Sequence, residues 1–259
     1  MCGILYRGCI VLISLAGIAL STASGQRSGT SMRDSVGGVA AGLLNNGRAN
    51  EARIELMRAL RASNDPAQKA TYRLELGDTF LFEGKYGEAA RSYNEVLAGS
   101  EAVTVDSLVR WAHHGLALID AFNGRSARAA SHYGDALKGP TSLRDTIEML
   151  VLTSQHDSAL KAIDRLAAAQ TDANAKQFIQ AFRGLTWMMS GHCTQALPEI
   201  AKAPNQDRPV PLAVRGRCAI KHGQRVEALA LRDSVLKAKV PDPFAWYVLI
   251  ARDAARRIE

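Results

Sequence analysis

The chain has 259 residues, of which 47% are hydrophobic, 22% are charged and only 6% are aromatic. This composition is ordinary for a folded globular protein and implies a core built mainly from small and aliphatic side chains. The net charge of +7 comes from scattered basic residues. Because these form no basic stripe with interleaved aromatic residues, nucleic acid is not an expected partner.

The amino terminus, residues 1–25, has the organisation of an export signal. One basic residue, Arg7, precedes an apolar run of twelve residues from Cys9 to Leu20, and small residues follow that run. Spanning a bilayer needs roughly 20 apolar residues, so we expect cleavage rather than a stable membrane span. A flexible lead-in is predicted over 26–34, and the protein is expected in the periplasm or cell envelope. An uncleaved anchor is the alternative, whereas a lipoprotein is disfavoured because Cys9 precedes the apolar run.

Six predicted helix-turn-helix units follow, each marked by its turn. The turn residues are Gly47, Gly84, Gly124, Ser154, Gly191 and Gly223. An alanine stands five residues after each turn. These alanines are Ala52, Ala89, Ala129, Ala159, Ala196 and Ala228. Apolar residues recur four positions later, with Arg232 as the exception, and again three positions after that, which keeps the set on one helical face. The alanine is expected where two helices cross closely.

The first helix of each unit also carries a position for close packing. Seven residues before the turns stand Ala40, Gly77, Ala117, Ile147, Gly184 and Gly216. A glycine inside a helix costs roughly 1 kcal/mol relative to alanine, so the three glycines predict close helix contacts that offset this cost. The third unit is less regular, because Trp111 and Gly115 come two residues early and Asp120 takes an apolar position. The fourth unit lacks the turn glycine.

Spacing and residue types together resemble the tetratricopeptide repeat. The intervals between turns are 37, 40, 30, 37 and 32 residues, which scatter about the 34-residue period of that repeat. Residues 71–98 match best. The matching residues there are Leu76, Gly77, Phe80, Gly84, Tyr86, Ala89, Tyr93 and Val96. The resemblance implies an all-α fold, a right-handed α-solenoid of about six repeats over residues 35–241.

Residues 242–259 are predicted to form a C-terminal capping helix. Asp242 can cap this helix with Pro243 at its first position. Its apolar residues would cover the sixth unit, and its charged residues would face water, as a terminal cap requires. The charged residues are Arg252, Asp253, Arg256 and Arg257.

Two cysteines, Cys193 and Cys218, remain after signal cleavage. An even number in an exported protein permits a disulfide, and stacked units would place these two helices side by side. We therefore expect a structural bridge. The alternative is a zinc site that adds His192 and His222, although adjacent residues such as His192 and Cys193 are awkward as joint ligands.

No nucleophile motif, phosphate loop or cofactor site is recognisable, so the chain is predicted not to be an enzyme and to need no cofactor. The family resemblance implies that partners bind in a concave groove lined by the first helices. The residues predicted there are Leu74, Asp78, Leu81, Phe82, Trp111, His114, Leu118, Phe178, Leu185, Met188 and Met189. Apolar residues with adaptable methionines suit a peptide or partner protein.

The function expected from these features is an exported scaffold for protein–protein interaction. The alternative is an accessory domain that binds an envelope polymer or supports a separate enzyme, and a basic groove would favour that alternative. A metal-dependent enzyme that uses the Cys/His cluster is a third possibility. Oligomeric state is not predicted.

Overall fold

The computed structural model describes residues 36–99, 106–138, 142–169, 173–203, 205–240, 243 and 245–259, with the backbone alone for 173–178. The predicted signal and lead-in, residues 1–25 and 26–34, lie outside the described residues. Within the described ranges every regular element is an α-helix. The thirteen helices are α1 (Val36–Asn45), α2 (Ala49–Ala62), α3 (Pro66–Glu83), α4 (Tyr86–Ala98), α5 (Asp106–Phe122), α6 (Ser126–Ala136), α7 (Leu143–Leu152), α8 (His156–Ala169), α9 (Ala173–Met189), α10 (Cys193–Lys202), α11 (Pro209–Lys221), α12 (Arg225–Lys237) and α13 (Trp246–Arg256). None of these described helices is long and apolar enough to cross a membrane.

The first twelve helices form six consecutive hairpins, and all six predicted turn residues adopt a left-handed conformation. The five glycines have φ between 71° and 81°, and Ser154 has φ 62°. In the second hairpin, Gly84 N–H donates to the Leu81 carbonyl (3.0 Å) and Lys85 N–H donates to the Phe80 carbonyl (2.9 Å). This pair of bonds is a Schellman motif, and the same pair ends the first helix of every hairpin. The predicted repeat is therefore confirmed, including its fourth unit.

The predicted alanine positions lie where the helices cross. All six alanines are completely buried. Four residues further on, large side chains fill the centre of the solenoid, among them Leu56, Tyr93, Tyr133, Ile163 and Ile200. A side chain larger than alanine at the crossing would push the helices apart, so this arrangement requires the small residue.

Two glycines enclose the ring of Tyr93. A Cβ atom added to Gly77 of α3 would lie 2.5 Å from Tyr93 Cε1, and one added to Gly115 of α5 would be closer still to the opposite ring edge. Both glycines therefore allow the α4 tyrosine to pack directly against the backbones of two first helices. The irregular position of Gly115 in the sequence has this packing as its cause.

The two ends of the solenoid meet. Asn45 at the end of α1 donates from Nδ2 to the Val240 carbonyl (2.7 Å) and accepts from Val240 N–H (3.3 Å). Lys239 Nζ donates to Asn46 Oδ1 (3.0 Å) in the same place. The repeats thus curve back on themselves, so the groove is not an open channel along their whole length.

The final helix, α13, packs against the sixth hairpin and also crosses the interior of the curve. Ile258 contacts Ala219 and Ala228 of that hairpin. The prediction that the charged residues of α13 face water is wrong for Arg252 and Asp253, which are buried. Closure of the solenoid explains the difference, because it brings α3 and α5 against the side of α13 that an isolated terminal cap would expose.

Candidate binding groove

Most of the predicted groove residues are buried within the solenoid. Leu74, Leu81, Leu118 and Leu185 are at most 2% exposed, and Asp78, Phe82 and Met188 are also buried. Trp111 and His114 are partly exposed, and Met189 is 38% exposed. Phe178 lies on α9, but its side chain is outside the described residues. The structure therefore leaves few of these residues accessible to a partner.

Helix α13 fills one part of the groove, which we call the covered part. The Arg252 guanidinium lies 3.8 Å from the centre of the Phe82 ring, which is a cation–π distance. Arg252 also donates from Nε to the Phe82 carbonyl (3.3 Å) and from Nη1 to the Val235 carbonyl (3.4 Å). Burial, with a smaller effect from Arg256, lowers the pKa of Arg252 to about 10, so its side chain stays cationic at neutral pH.

Two further arginines of α13 bind the carboxyl ends of first helices. Arg256 donates to the Phe82 carbonyl in the last turn of α3, and Arg257 donates to the Phe122 carbonyl at the end of α5. Carbonyl groups in a last helical turn lack intrahelical partners and carry partial negative charge, so they attract cations. Gly84 is needed here for a second reason, since a Cβ at this position would lie 2.8 Å from Arg256 Nε.

A polar network holds the same face of α13. The Tyr86 hydroxyl donates to Asp253 Oδ1 (2.5 Å), and Arg257 Nε donates to Asp253 Oδ2 (2.7 Å). Burial and the Asp253 carboxylate raise the pKa of Tyr86, which keeps the hydroxyl protonated as a donor. This network satisfies a carboxylate that is only 9% exposed.

The aromatic start of α13 contacts the fifth hairpin. The ring of Phe182 on α9 lies 5.1 Å from the Trp246 ring and 6.0 Å from the Tyr247 ring, measured between centroids. Together with the arginine contacts, this places α13 against first helices of the second, third, fifth and sixth hairpins. The covered part of the groove therefore demonstrates how this concave face holds a helix.

The open part of the groove lies around α3, α5 and α7 and is lined by polar groups. Tyr93 donates from its hydroxyl to Asp78 Oδ1 (2.7 Å), and Tyr133 donates to Glu148 Oε1 (2.9 Å). His114 Nε2 also lies 2.5 Å from Glu148 Oε1. Asp78 and Glu148 each stand six residues before their turn, and the two tyrosines each stand nine residues after theirs. Sequence reasoning missed this pattern, although the shared repeat positions could have revealed it.

Burial and neighbouring carboxylates shift the pKa values of the histidine and the tyrosines in the open part. Burial opposes the charged form of His114, but the carboxylates of Glu148, Asp78 and Asp145 outweigh it and raise the pKa of this histidine. Burial, followed by the adjacent carboxylates, raises the pKa of Tyr93 and of Tyr133 well above the usual range. The open part therefore presents a partly exposed histidine that rests on buried carboxylates.

Cys193 and Cys218 form a disulfide that joins α10 to α11. Their Cα atoms lie 5.5 Å apart. The expected bridge is therefore present, and it uses both sulfur atoms. The alternative zinc site with His192 and His222 is excluded for this disulfide-bonded form, because a sulfur in a disulfide is not a thiolate ligand.

Comparisons with known proteins find a similar fold but no match by sequence. No protein-family model matches the sequence, and no curated protein matches it. Among solved structures, the fold is similar to a tetratricopeptide repeat protein from Parabacteroides merdae, with 12% sequence identity and a TM-score of 0.39. The alignment covers 87% of this chain and 99% of that chain.

Proposed function

We propose that this protein is a non-catalytic scaffold that binds a peptide or helical segment of a partner protein in its concave groove, in the cell envelope after export. The observation that carries the proposal is α13, a helix held across the concave face by aromatic contacts and by arginines on helix carboxyl ends. The partner would use the open part of the groove beside α13.

Displacement of α13 by the partner is disfavoured by its energetic cost. Val248, Leu249, Ile250 and Ile258 are at most 4% exposed. Burying one such side chain stabilises by about 1.5–3 kcal/mol, so removing α13 would cost at least about 6 kcal/mol before any polar contact is counted. A partner that binds beside α13 avoids this cost.

The open part of the groove favours a peptide that offers an aromatic or hydrogen-bonding side chain. Trp111 and His114 lie three residues apart on α5 and therefore share a helical face. Two buried carboxylates, Asp78 and Glu148, lie beneath this face beside one histidine, so the open part is not basic. The polymer-binding alternative, which a basic groove would favour, consequently has less support than peptide binding.

The disulfide supports export. Disulfides persist in oxidising compartments such as the periplasm and are rare in the cytosol. We expect the two thiols to resist alkylation in protein taken from an envelope fraction and to react after reduction. Free thiols in freshly fractionated cells, with the protein found in the cytosol, would contradict the envelope assignment.

A site-specific photocrosslinker tests the groove. Leu74 and Phe82 are buried, so changing them would alter stability rather than binding alone. We therefore place a photoreactive phenylalanine analogue at position 111, where the natural residue Trp111 is a large, partly exposed aromatic. Irradiation of envelope preparations is expected to attach one protein partner at this position, identified by mass spectrometry.

The matched control places the same analogue at Val226, which is 86% exposed on α12. The crosslink at position 111 should be absent at position 226, and a synthetic peptide with the sequence of the crosslinked segment should compete with it. The proposal is wrong if both positions label the same proteins equally, or if the His114→Ala variant leaves peptide affinity unchanged.

A further inference from the structure

The third hairpin brings two histidines and an aspartate together on its outer side. His113 lies on α5, whereas His132 and Asp135 lie three residues apart on α6 and share a face. His113 Nδ1 and His132 Nδ1 are 3.1 Å apart, and Asp135 Oδ2 lies 3.9 Å from His113 Nδ1. One donor atom from each residue falls within 4.8 Å of the other two.

These distances match the ligand spacing of a small divalent cation. With metal–nitrogen bonds of about 2.0–2.1 Å, two nitrogen ligands of a tetrahedral site are about 3.3 Å apart. The observed separation of the two Nδ1 atoms agrees with this value. The carboxylate is about half an ångström farther than ideal, and rotation about its Cα–Cβ and Cβ–Cγ bonds would bring it into range.

A buried carboxylate lies near the outer nitrogen of His132 and could accept from it after a small movement of the ring. Asp120 Oδ2 lies 3.8 Å from His132 Nε2, and Asp120 is only 3% exposed. Its Oδ1 accepts from Arg125 Nε (2.7 Å), whereas Oδ2 has no hydrogen-bond partner among the described residues, although Arg128 Nε is 3.4 Å away. A carboxylate that accepts from the outer N–H of a histidine orients the inner nitrogen lone pair toward a metal.

One tautomer of His132 suits a metal. If His132 donates from Nε2 toward Asp120, its Nδ1 carries a lone pair directed at His113. The neutral imidazole is the form that ligates metals.

We propose that His113, His132 and Asp135 form a binding site for a divalent transition metal of the zinc class. Two imidazole nitrogens and one carboxylate oxygen are donors that such ions accept, and a fourth position would be left for water. The three side chains are 20%, 22% and 36% exposed, so the metal can enter from solvent. Lys138 Nζ contacts Asp135 Oδ1 (2.7 Å) and leaves Oδ2 for the metal.

The metal would connect the two helices of one hairpin and stabilise the third unit. A ligand that binds only the folded protein stabilises it by RT ln(1 + [L]/Kd), so saturating zinc should raise the unfolding temperature. The site is separate from the open part of the groove, where the neighbouring His114 binds Glu148. Its loss should leave peptide binding at His114 unchanged, so failure of one proposal can be distinguished from failure of the other.

Zinc titration of the untagged, full-length protein with its disulfide intact tests the proposal. We expect one Zn²⁺ per chain by competition with a chromophoric chelator, and Co²⁺ should give the intense visible absorption of a tetrahedral site. His132→Gln should weaken binding by more than tenfold. Asp120→Asn should weaken it by about tenfold, and because Asp120 also accepts from Arg125, the fold of this variant is checked before its affinity is compared. Because the Asp135 side chain is partly exposed, Asp135→Asn removes one proposed ligand with little risk to folding.

The control variant changes His192 and His222 to Gln together, because these are the histidines next to the disulfide. It should bind zinc with unchanged affinity. Binding that survives His132→Gln and Asp135→Asn but is lost in the control variant would overturn the proposal. Absence of saturable one-to-one binding to the wild-type protein would overturn it as well. Circular dichroism of each metal-free variant confirms that a loss of binding does not reflect unfolding.

Discussion

The covered and open parts of the concave groove are built on the same helices, but the hydrogen-bond donors to their buried oxygen atoms come from different parts of the chain. In the covered part, carbonyl oxygens at the ends of α3 and α5 accept from arginines of α13. In the open part, the carboxylates of Asp78 and Glu148 accept from tyrosines of the neighbouring second helices. One part therefore depends on a helix distant in sequence, and the other is complete within adjacent hairpins.

The comparison shows how a repeat array separates stability from binding. In the covered part, the apolar residues Val248, Leu249, Ile250 and Ala251 of α13 are buried. The open part retains a partly exposed histidine, His114, above buried carboxylates. Function is consequently expected where the polar groups are satisfied locally, because a partner can bind there without unfolding any element of the chain.

Removal of residues 246–259 should have the largest effect on stability, because it uncovers the covered part of the groove. It would expose Phe82 and Phe182 and leave the carboxyl ends of α3 and α5 without their arginines. We expect the free energy of unfolding to fall by at least about 6 kcal/mol and cooperative unfolding to be lost. Urea unfolding monitored by circular dichroism measures this. Removal of Glu259 alone, which is exposed, is the control, and an unchanged transition in the longer deletion would contradict a structural role for α13.

The disulfide stabilises the two hairpins against which the start of α13 packs, because it links the fifth hairpin covalently to the sixth. Changing Cys193 and Cys218 together to alanine should destabilise the protein by about 3 kcal/mol, on the chain-entropy estimate for a closed loop of 25 residues. The unfolding midpoint in urea is the measurement, with reduced wild-type protein as a parallel sample. Equal stability of oxidised and reduced protein would show that the bridge does not support the covered part.

Packing around Tyr93 stabilises the open part of the groove, because the Tyr93 hydroxyl donates a hydrogen bond to Asp78. Gly115→Ala should destabilise by about 1–3 kcal/mol because the added methyl group would overlap the Tyr93 ring. Gly134→Ala on α6 is the matched control: nothing lies within 4 Å of its added methyl group. That control should stabilise by up to about 1 kcal/mol through helix propensity. Thermal unfolding of the two variants should therefore shift in opposite directions.

The smallest expected effect comes from the charge of His114. Its pKa is raised in the folded state, so its contribution to stability is present below its ordinary pKa near 6.5 and is lost as pH rises through the folded-state value. The stability difference between wild-type protein and His114→Gln should thus be larger at pH 6 than at pH 9. Chemical unfolding over this pH range measures it.

His156→Gln provides a control of opposite sign. Burial lowers the pKa of His156 despite the opposing effect of Asp157, so its contribution is lost as pH falls. The stability difference for this variant should grow as pH rises. Matching pH dependence in the two variants would mean that His114 carries no special charge interaction in the open part.

The sequence predicted local features well because each depends on a few neighbouring residues. The turn residues, including the non-glycine Ser154, and the alanine at each crossing follow from the steric demands of one hairpin. The disulfide was also predictable, since it joins adjacent helices. The burial of Arg252 and Asp253 was not, because Phe82 on α3 and Tyr86 on α4, which contact them, are separated from them by more than 100 residues.

Several features of the candidate sites were visible in the sequence but were interpreted incompletely. His113 and His132 belong to one hairpin, yet the pairing depends on how far each helix is rotated about its axis. Asp120 departed from the apolar pattern, and its structural role beside Arg125 and His132 explains that departure. The groove residues were predicted on the first helices of the hairpins, but helical periodicity does not distinguish the inner surface from the contacts between repeats.

The amino-acid sequence by itself determined the helices, their turns and their stacking in pairs, because these depend on steric constraints that recur every 30–40 residues. Only the tertiary structure decided how strongly the array curves, that Asn45 reaches Val240, and that α13 enters the groove. Curvature accumulates from small rotations between successive hairpins, so no single residue encodes it. The accessible part of the groove is a consequence of that accumulated geometry.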